Sequence, residues 1–257
     1  MHSHFELSGL RDAISFFSIF PAGRKAGIGE SIVYYFTVSG LLIGVIPALL
    51  FYFLSTRINS IAASALSLSA LLLISGFTHL DGVLDSGDAL MVRGTKEHRL
   101  EVLKDRYTGA GAVGTVLVIY LSYFSILTGF TPYYGLVAVI VGEMTSKFSF
   151  ALSLGFFPTI GEGLGNKFSE IYRKAVASPI LINAIPLIFI SVLLAPASLI
   201  GIAISLLVYS FFGHRLKRMF GGLNGDLIAL LGEISRVIFL ISFVLLLPVT
   251  SFRFSIF

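Results

Sequence analysis

The sequence IAASALSLSALLLISGFTHLDGVLDSGDA, residues 61–89, joins a long apolar segment directly to a segment that contains three aspartates. The apolar part is about long enough to cross a bilayer, which takes roughly 17–25 residues. Asp81, Asp85 and Asp88 follow at positions i, i+4 and i+7, so on a helix their carboxylates share one face. The pattern predicts a membrane helix that ends at an acidic surface.

Three carboxylates on one face at a membrane edge repel one another and are costly to desolvate. Helix capping would account for one aspartate, but not for three on a single face. Carboxylate oxygens are the ligands that Mg²⁺ or Mn²⁺ prefers, and Mg²⁺ usually completes its shell with water and substrate phosphate. We therefore predict that Asp81, Asp85 and Asp88 bind Mg²⁺ and are the catalytic residues of phosphate chemistry at a bilayer surface.

The composition places the chain among membrane proteins. Its 257 residues are 56% hydrophobic and 12% charged, with a mean hydropathy of +0.93, far outside the range of soluble domains. The chain has no cysteine, which excludes disulfides, thiolate metal sites and cysteine nucleophiles. We predict a single integral membrane domain over residues 1–257, with lipid as its main solvent and no nucleic-acid partner.

Apolar runs and their breaks predict an all-α polytopic fold with about seven transmembrane helices. Residues 5–20 have apolar side chains near helical spacing before Pro21 and are predicted to form an N-terminal helix in the membrane interface. The run over 180–212 is interrupted near Pro196 and is interpreted as two short helices. The predicted spans are 32–54, 61–77, 112–128, 132–154, two within 180–212, and 227–247.

The distribution of basic residues predicts the orientation. Most of the 18 Lys and Arg residues fall in the N-terminal arm and in the loops after the second, fourth and sixth spans, whereas the alternate connections hold only Arg57 and Arg253. Cytoplasmic loops carry the excess of Lys and Arg in membrane proteins. We therefore predict a multi-pass protein of the cell membrane whose active face is cytoplasmic.

Three polar loops are expected to meet on that face. In the first, Lys104 and Asp105 precede a run of small residues whose backbone N–H groups are able to meet an anion. The second contains Gly161, Gly163 and Gly165, which permit close backbone approach to a ligand but are weak evidence alone.

The third loop combines basic residues, a glycine turn and an aspartate. This order is what a clamp for a nucleotide diphosphate needs. The alternative is a basic membrane anchor followed by an aspartate that caps the next helix, and the sequence leaves both open. The residues are Arg215, Lys217, Arg218, Gly221, Gly222 and Asp226.

Four ionisable residues lie inside predicted spans. Glu143 and Lys147 are four residues apart, and Glu233 and Arg236 are three apart, so each pair is able to form an ion pair on one helix face. The functional alternative is that these residues line a polar cavity beneath the metal site.

Taken in order, the motifs resemble those of the cobalamin synthase family, adenosylcobinamide-GDP ribazoletransferase. The match covers nearly the whole chain, with departures at Ala89, Asn224 and Arg106. The matching motifs are His79-Leu80-Asp81-Gly82-x-x-Asp85-x-x-Asp88, Arg99-Leu100-Glu101-Val102-Leu103-Lys104-Asp105 with Gly109-Ala110, Glu162-Gly163-Leu164-Gly165, and Gly221-Gly222-x-x-Gly225-Asp226 with Glu233.

The resemblance implies the last assembly step of the coenzyme B12 nucleotide loop. Adenosylcobinamide-GDP and α-ribazole, or its 5′-phosphate, would give adenosylcobalamin, or its phosphate, with release of GMP and with Mg²⁺ as cofactor. Asp226 would hold a second metal ion or a polar substrate group, and a homodimer is left open. The residues expected to bind the guanosine diphosphate are Arg215, Lys217 and Arg218, with Lys104, Asp105, Gly221 and Gly222 as further substrate-binding residues.

Two other functions are considered. CDP-alcohol phosphotransferases have a similar Asp-Gly-x-x-Asp motif, but their motif continues with Ala-Arg where this chain has Leu84-Asp85. A secondary transporter would use the four intramembrane charges as a coupling site, but the sequence has neither repeated halves nor a central carboxylate cluster.

Overall fold

The computed structural model describes residues 7–21, 29–105, 107–174 and 177–247. This part of the chain is helical and contains no strand, so the predicted all-α class is confirmed. A short 3₁₀ helix, Glu30–Tyr34, precedes the second α-helix. The α-helices are α1 Leu7–Phe17, α2 Phe36–Arg57, α3 Ser60–Ile74, α4 Thr78–Met91, α5 Lys96–Val102, α6 Ala110–Thr128, α7 Pro132–Phe156, α8 Leu164–Lys174, α9 Ala177–Leu194, α10 Ser198–Phe220 and α11 Gly225–Leu246.

Six of the described helices are long and apolar enough to cross a bilayer, namely α2, α6, α7, α9, α10 and α11. A seventh crossing would have to combine α3 and α4, which meet at an angle of 92°. The 15 residues of α3 rise only about 22 Å, less than the roughly 30 Å of a hydrocarbon core. The chain is therefore a multi-pass membrane protein with six or seven candidate spans among the described residues, which agrees with the predicted number, and its predicted second span is a short helix followed by a sharp bend.

Two other boundary predictions need adjustment. The two helices predicted as short within 180–212 are full-length, with 18 residues in α9 and 23 in α10, because the break at Pro196 consumes only three residues and each helix extends beyond the apolar run. A helix does occupy most of the predicted segment 5–20. Its location in the membrane interface stays a prediction, and residues 5 and 6 lie outside the described residues.

Helices α7 and α11 form the centre of the bundle. Nearly every residue of α7 from Val137 onward is buried, and α2, α9, α10 and α11 pack around it. Glycines permit the close approaches: a Cβ at Gly40 of α2 would lie 3.0 Å from the carbonyl oxygen of Glu143, and one at Gly142 would meet Leu240 of α11 at 2.9 Å. Small residues at such crossings are typical of membrane helices, where packing drives association.

Candidate active site

The turn at residues 75–77 brings the acidic segment into place. Gly76 and Phe77 adopt consecutive left-handed conformations, with φ of 61° and 58°. Such a conformation costs a non-glycine residue about 1–3 kcal/mol, so the surrounding packing must hold Phe77 there. The N–H of Ile19 donates to the carbonyl of Ile74 at 2.8 Å and ties this turn to the segment after α1. The bend directs α4 sideways between α6 and α11.

Two glycines of the acidic motif let α4 approach both neighbours. A Cβ at Gly82 would lie 2.9 Å from Cβ of Ala229 and 3.0 Å from Cα of Asp226, both in α11. A Cβ at Gly87 would lie 2.9 Å from the carbonyl oxygen of Gly111 in α6. These positions therefore need glycine for packing, and the contact at Gly82 brings the start of α11 against the acidic face of α4.

Four carboxylates face one another where α4 meets α11. Asp81 is exposed and Asp85 and Asp88 are partly buried, and Asp226 from α11 joins them. Burial, and after it the negative charges of Asp226, Asp81 and Asp88, raise the pKa of Asp85 to about 6. Within the described ranges, no Lys or Arg forms an ion pair with these carboxylates, and no group of three His, Asp or Glu side chains is arranged to hold a metal ion.

Asp88 has a structural role that the sequence did not reveal. Its carboxylate accepts hydrogen bonds from the N–H groups of Gly109, at 2.5 Å, and Ala112, at 2.9 Å. These groups belong to the start of α6, where the first backbone N–H groups have no partner within the helix. The backbone N–H groups of the small-residue run at the start of α6 therefore do bind an anion, as the sequence allowed. This anion is the carboxylate of Asp88.

The capping alternative for Asp226 is wrong. The residue that caps α11 is Asn224, whose side-chain oxygen accepts from the N–H of Leu227 at 3.1 Å. Its amide nitrogen donates to Asp226 Oδ2 at 2.7 Å. Asn224 therefore caps the helix and orients Asp226 at the same time, which leaves Asp226 as a member of the acidic cluster.

The glycine turn of the third loop joins that loop to the second. Gly221 ends α10 with φ of 86°, and its N–H donates to the carbonyl of Lys217 at 2.8 Å. Leu223 then forms a parallel bridge with the second loop, through bonds of 2.8 Å to Pro158 and 3.0 Å from Ile160. A Cβ at Gly222 would lie 2.5 Å from the Pro158 carbonyl oxygen. The two loops therefore form one unit.

The first loop also contacts the third. The ammonium group of Lys96 lies so close to Gly221 that a Cβ at this position would collide with it. The three polar loops thus lie together at one end of the helices, as predicted. The side of the membrane on which they lie stays a prediction.

A cavity of about 840 Å³ opens beside the acidic cluster. Its lining residues include Lys104, Asn224, Asp226 and residues 159–166. The other candidate substrate-binding residues lie elsewhere. Asp105 is exposed and accepts from the N–H of Tyr107 at 3.2 Å. The basic residues of the third loop are exposed on the last turns of α10 and do not line the cavity: Arg215, Lys217 and Arg218. Their predicted roles stay predictions.

The intramembrane charges form one buried network. Glu143 pairs with Lys147 at 2.5 Å and with Arg236 of α11 at 2.6 Å, and Arg236 also pairs with Glu233. His79 of α4 closes the network, with Nδ1 3.1 Å from Glu233 and 3.3 Å from Lys147 Nζ. The pairing predicted within each helix is confirmed, and the network also joins α7 to α11 and α4. Removing one partner from such a group is costly because it strands a buried charge.

His79 is the residue of the site to which the sequence analysis assigned no role. It is 94% buried and lines the cavity, whereas the four charged residues do not. The cavity hypothesis for those four residues is therefore wrong. The one feature of the sequence that could have indicated a role for His79 is its position, two residues before Asp81 at the end of an apolar segment.

The fold and this site define a class: a multi-pass helical membrane protein with a carboxylate cluster beside an open cavity. The family model for cobalamin-5-phosphate synthase matches residues 9–244, and the chain belongs to this family. The resemblance predicted from the motifs is thereby confirmed.

Curated relatives align along most of their length. A protein of Picrophilus torridus named adenosylcobinamide-GDP ribazoletransferase is 38% identical over 240 residues, covering 91% of this chain and 96% of the relative. Proteins of the same name from Thermoplasma volcanium and Pyrococcus abyssi are 34% and 30% identical, covering 93% and 88% of this chain and 91% and 94% of the relatives. No solved structure matches the chain.

Proposed function

We propose that the protein is an adenosylcobinamide-GDP ribazoletransferase. It joins adenosylcobinamide-GDP to α-ribazole, or to α-ribazole 5′-phosphate, gives adenosylcobalamin or its phosphate, and releases GMP. The observation that carries this proposal is the acidic face of α4, which meets Asp226 at the edge of a substrate-sized cavity in a chain whose relatives bear this name over nearly their full length.

In this reaction a ribose hydroxyl of ribazole attacks the phosphorus nearer the corrin. A new phosphorus–oxygen bond forms there, and the bond from that phosphorus to the bridging oxygen breaks, so that GMP leaves with the bridging oxygen. The hydroxyl proton passes to a carboxylate of the acidic cluster, which acts as the general base. An aspartate that is not fully engaged with metal is suited to this step, and Asp81 is the candidate because its side chain is exposed and its carboxylate has no hydrogen-bond partner among the described residues.

The residues that would hold Mg²⁺ are Asp81, Asp85 and Asp88, with Asp226 as a further ligand. When bound, the ion supplies neutralisation of the charge that builds up on the diphosphate. Carboxylate oxygens without a described cationic partner are the ligand type that this ion prefers, and the side chains would have to move closer together to hold it, since the described arrangement forms no such group. Asp88 uses two of its roughly four lone-pair sites on α6 and keeps the others.

The donor substrate requires positive charge near the acidic cluster. Lys104 is among the residues that line the cavity, and in this proposal it attracts the diphosphate from the side of the acidic cluster. Arg215, Lys217 and Arg218 lie exposed on α10, at the same end of the bundle, and would attract the anionic donor and bind its guanosine diphosphate part. Asp105, Gly221 and Gly222 shape the adjoining loops.

The reaction takes place at the cytoplasmic face of the cell membrane in this proposal, because the basic residues concentrate in the loops that carry the site. Lipid surrounds the outer helices, where large apolar side chains such as Leu121 and Phe211 are exposed. Homodimer formation stays a prediction.

The direct test is release of GMP from adenosylcobinamide-GDP by the purified full-length protein, with α-ribazole present or absent and with Mg²⁺ or EDTA. We expect GMP and a cobalamin product only when both α-ribazole and Mg²⁺ are present. Neutralising Arg215, Lys217 and Arg218 together should mainly raise the KM for the donor, whereas Asp226→Asn should mainly lower kcat. No GMP release with both substrates and Mg²⁺ would contradict the proposal.

A further inference from the structure

The inner part of the cavity is aromatic. The ring of Phe17 lies edge-on to Phe36 and Phe150, with centroid distances of 5.3 and 5.1 Å. The imidazole of His79 stacks on Phe150 at 5.1 Å with an interplanar angle of 24°. All four residues line the cavity, and Phe168 extends the aromatic surface from Phe36. Surfaces of this kind bind planar rings by stacking.

One buried polar atom of this aromatic part lacks a partner. The Nε2 atom of His79 has no hydrogen-bond partner among the described residues and is buried by them, whereas buried polar groups are normally paired. The opposite nitrogen, Nδ1, lies 3.1 Å from the carboxylate of Glu233 and 3.3 Å from the ammonium of Lys147. We assign the proton of a neutral ring to Nδ1, because the carboxylate is the nearer group and is able only to accept, whereas Lys147 donates to Glu143 at 2.5 Å. The ring is fixed by Glu233 and by stacking on Phe150, and Nε2 is left as an acceptor for a ligand hydroxyl.

The charge of the cavity distinguishes between the two substrates. The charged side chains that line it are Lys104, Glu162 and Asp226, one cation against two anions, so the walls do not suit a diphosphate. Of the two acceptors in the proposed function, α-ribazole carries no phosphate and consists of a planar base on a ribose, so the charge of the cavity favours this acceptor over its 5′-phosphate. Its size also fits, since cavities of about 300–1,000 Å³ are typical of sites for one small molecule.

We propose that this cavity is the acceptor site and binds the planar aromatic base of the nucleoside against Phe17, Phe36 and Phe150. A ribose hydroxyl donates to Nε2 of His79, and the ribose extends toward Asp226 and the acidic face of α4, where the attacked phosphorus lies. The assignment rests on the proposed function. It places the donor outside the cavity, over the acidic cluster and the exposed basic turns of α10.

The buried charge network has a positioning role in this assignment. Glu233 is held by Arg236, and Arg236 also binds Glu143, so the partner of His79 Nδ1 is itself fixed. The network therefore sets the orientation in which His79 meets the acceptor.

Binding of α-ribazole to the full-length protein tests this inference without catalysis. The chain has no tryptophan, so fluorescence of the benzimidazole base is measured without a tryptophan background. Phe36→Leu and Phe150→Leu should each raise the Kd and the KM for α-ribazole at least about fivefold, because a stacking partner is lost. The KM for adenosylcobinamide-GDP should stay within about twofold. Phe243→Leu is the matched control, since Phe243 is equally buried and stacks on Phe239 away from the cavity.

A second variant addresses the polar contact. His79→Asn keeps an amide that is able to donate to Glu233 but has no atom at the position of Nε2, and it should also weaken α-ribazole binding. Unchanged α-ribazole affinity in all three variants, or an equal rise in the KM for the donor, would overturn the assignment. If the wild-type protein binds α-ribazole but releases no GMP, the proposed function fails while the acceptor site stands.

Discussion

Asp88 offers the sharpest test of the acidic face because the structure gives it a second role. Its carboxylate accepts two backbone hydrogen bonds at the start of α6. Asp81, on the same face, is exposed and has no described partner. Changing each aspartate to asparagine therefore separates stability from metal binding: Asp88→Asn should affect both, whereas Asp81→Asn should affect turnover alone.

The magnitudes follow from these contacts. Asparagine at position 88 keeps one side-chain oxygen but loses the charge and one of the two accepted bonds, which costs about 1–2 kcal/mol of the free energy of unfolding. For a chain of this size that corresponds to a fall in Tm of about 2–8 °C. Asp81→Asn removes no described protein contact and should shift Tm by less than about 2 °C. Each substitution should lower kcat at least about 100-fold at saturating Mg²⁺.

The assay combines thermal unfolding of the purified protein with GMP release across a Mg²⁺ titration. Glu97→Gln on exposed α5 is the matched control and should change neither quantity appreciably. An Asp88→Asn protein with the wild-type Tm would refute the capping assignment. Near-normal Mg²⁺-dependent turnover in Asp81→Asn would refute the metal site.

The remaining predictions concern packing, the buried network and topology. Gly82→Ala should lower turnover at least about tenfold, because the new Cβ would lie 3.0 Å from the backbone of α11, whereas Gly114→Ala, with no atom within 4 Å, should leave turnover unchanged; equal effects would contradict the packing argument. Lys147→Met should cost about 3–5 kcal/mol of the free energy of unfolding, because it leaves the two buried carboxylates of Glu143 and Glu233 to share the single cation of Arg236, and a melting temperature that matches the wild type would show that the pairing is not needed. In this cysteine-free chain, a cysteine at Gly94 should react only with reagents on the cytoplasmic side and one at Ser255, outside the described residues, only from the other side; the reverse pattern would invert the orientation.

Much of the fold was predictable because membrane helices leave a strong one-dimensional signal. An apolar run of sufficient length must form a helix in lipid, since its backbone groups have no other partners, and six spans were found in this way. The bend after the short helix α3 was not predicted, because hydropathy measures composition and not direction. This bend depends on two consecutive left-handed residues, one of which is Phe77, and no composition rule places a phenylalanine there.

The sequence by itself determined the class, the family and the shared face of Asp81, Asp85 and Asp88, because each depends on local spacing or on the order of motifs along the chain. Only the tertiary structure decided which groups meet across helices. It brought Asp226 to the acidic face, assigned Asp88 to the start of α6, and joined His79 to the charges of α7 and α11. These contacts join residues between 21 and 154 positions apart, and they arise from helix packing, which the local pattern of the chain does not encode.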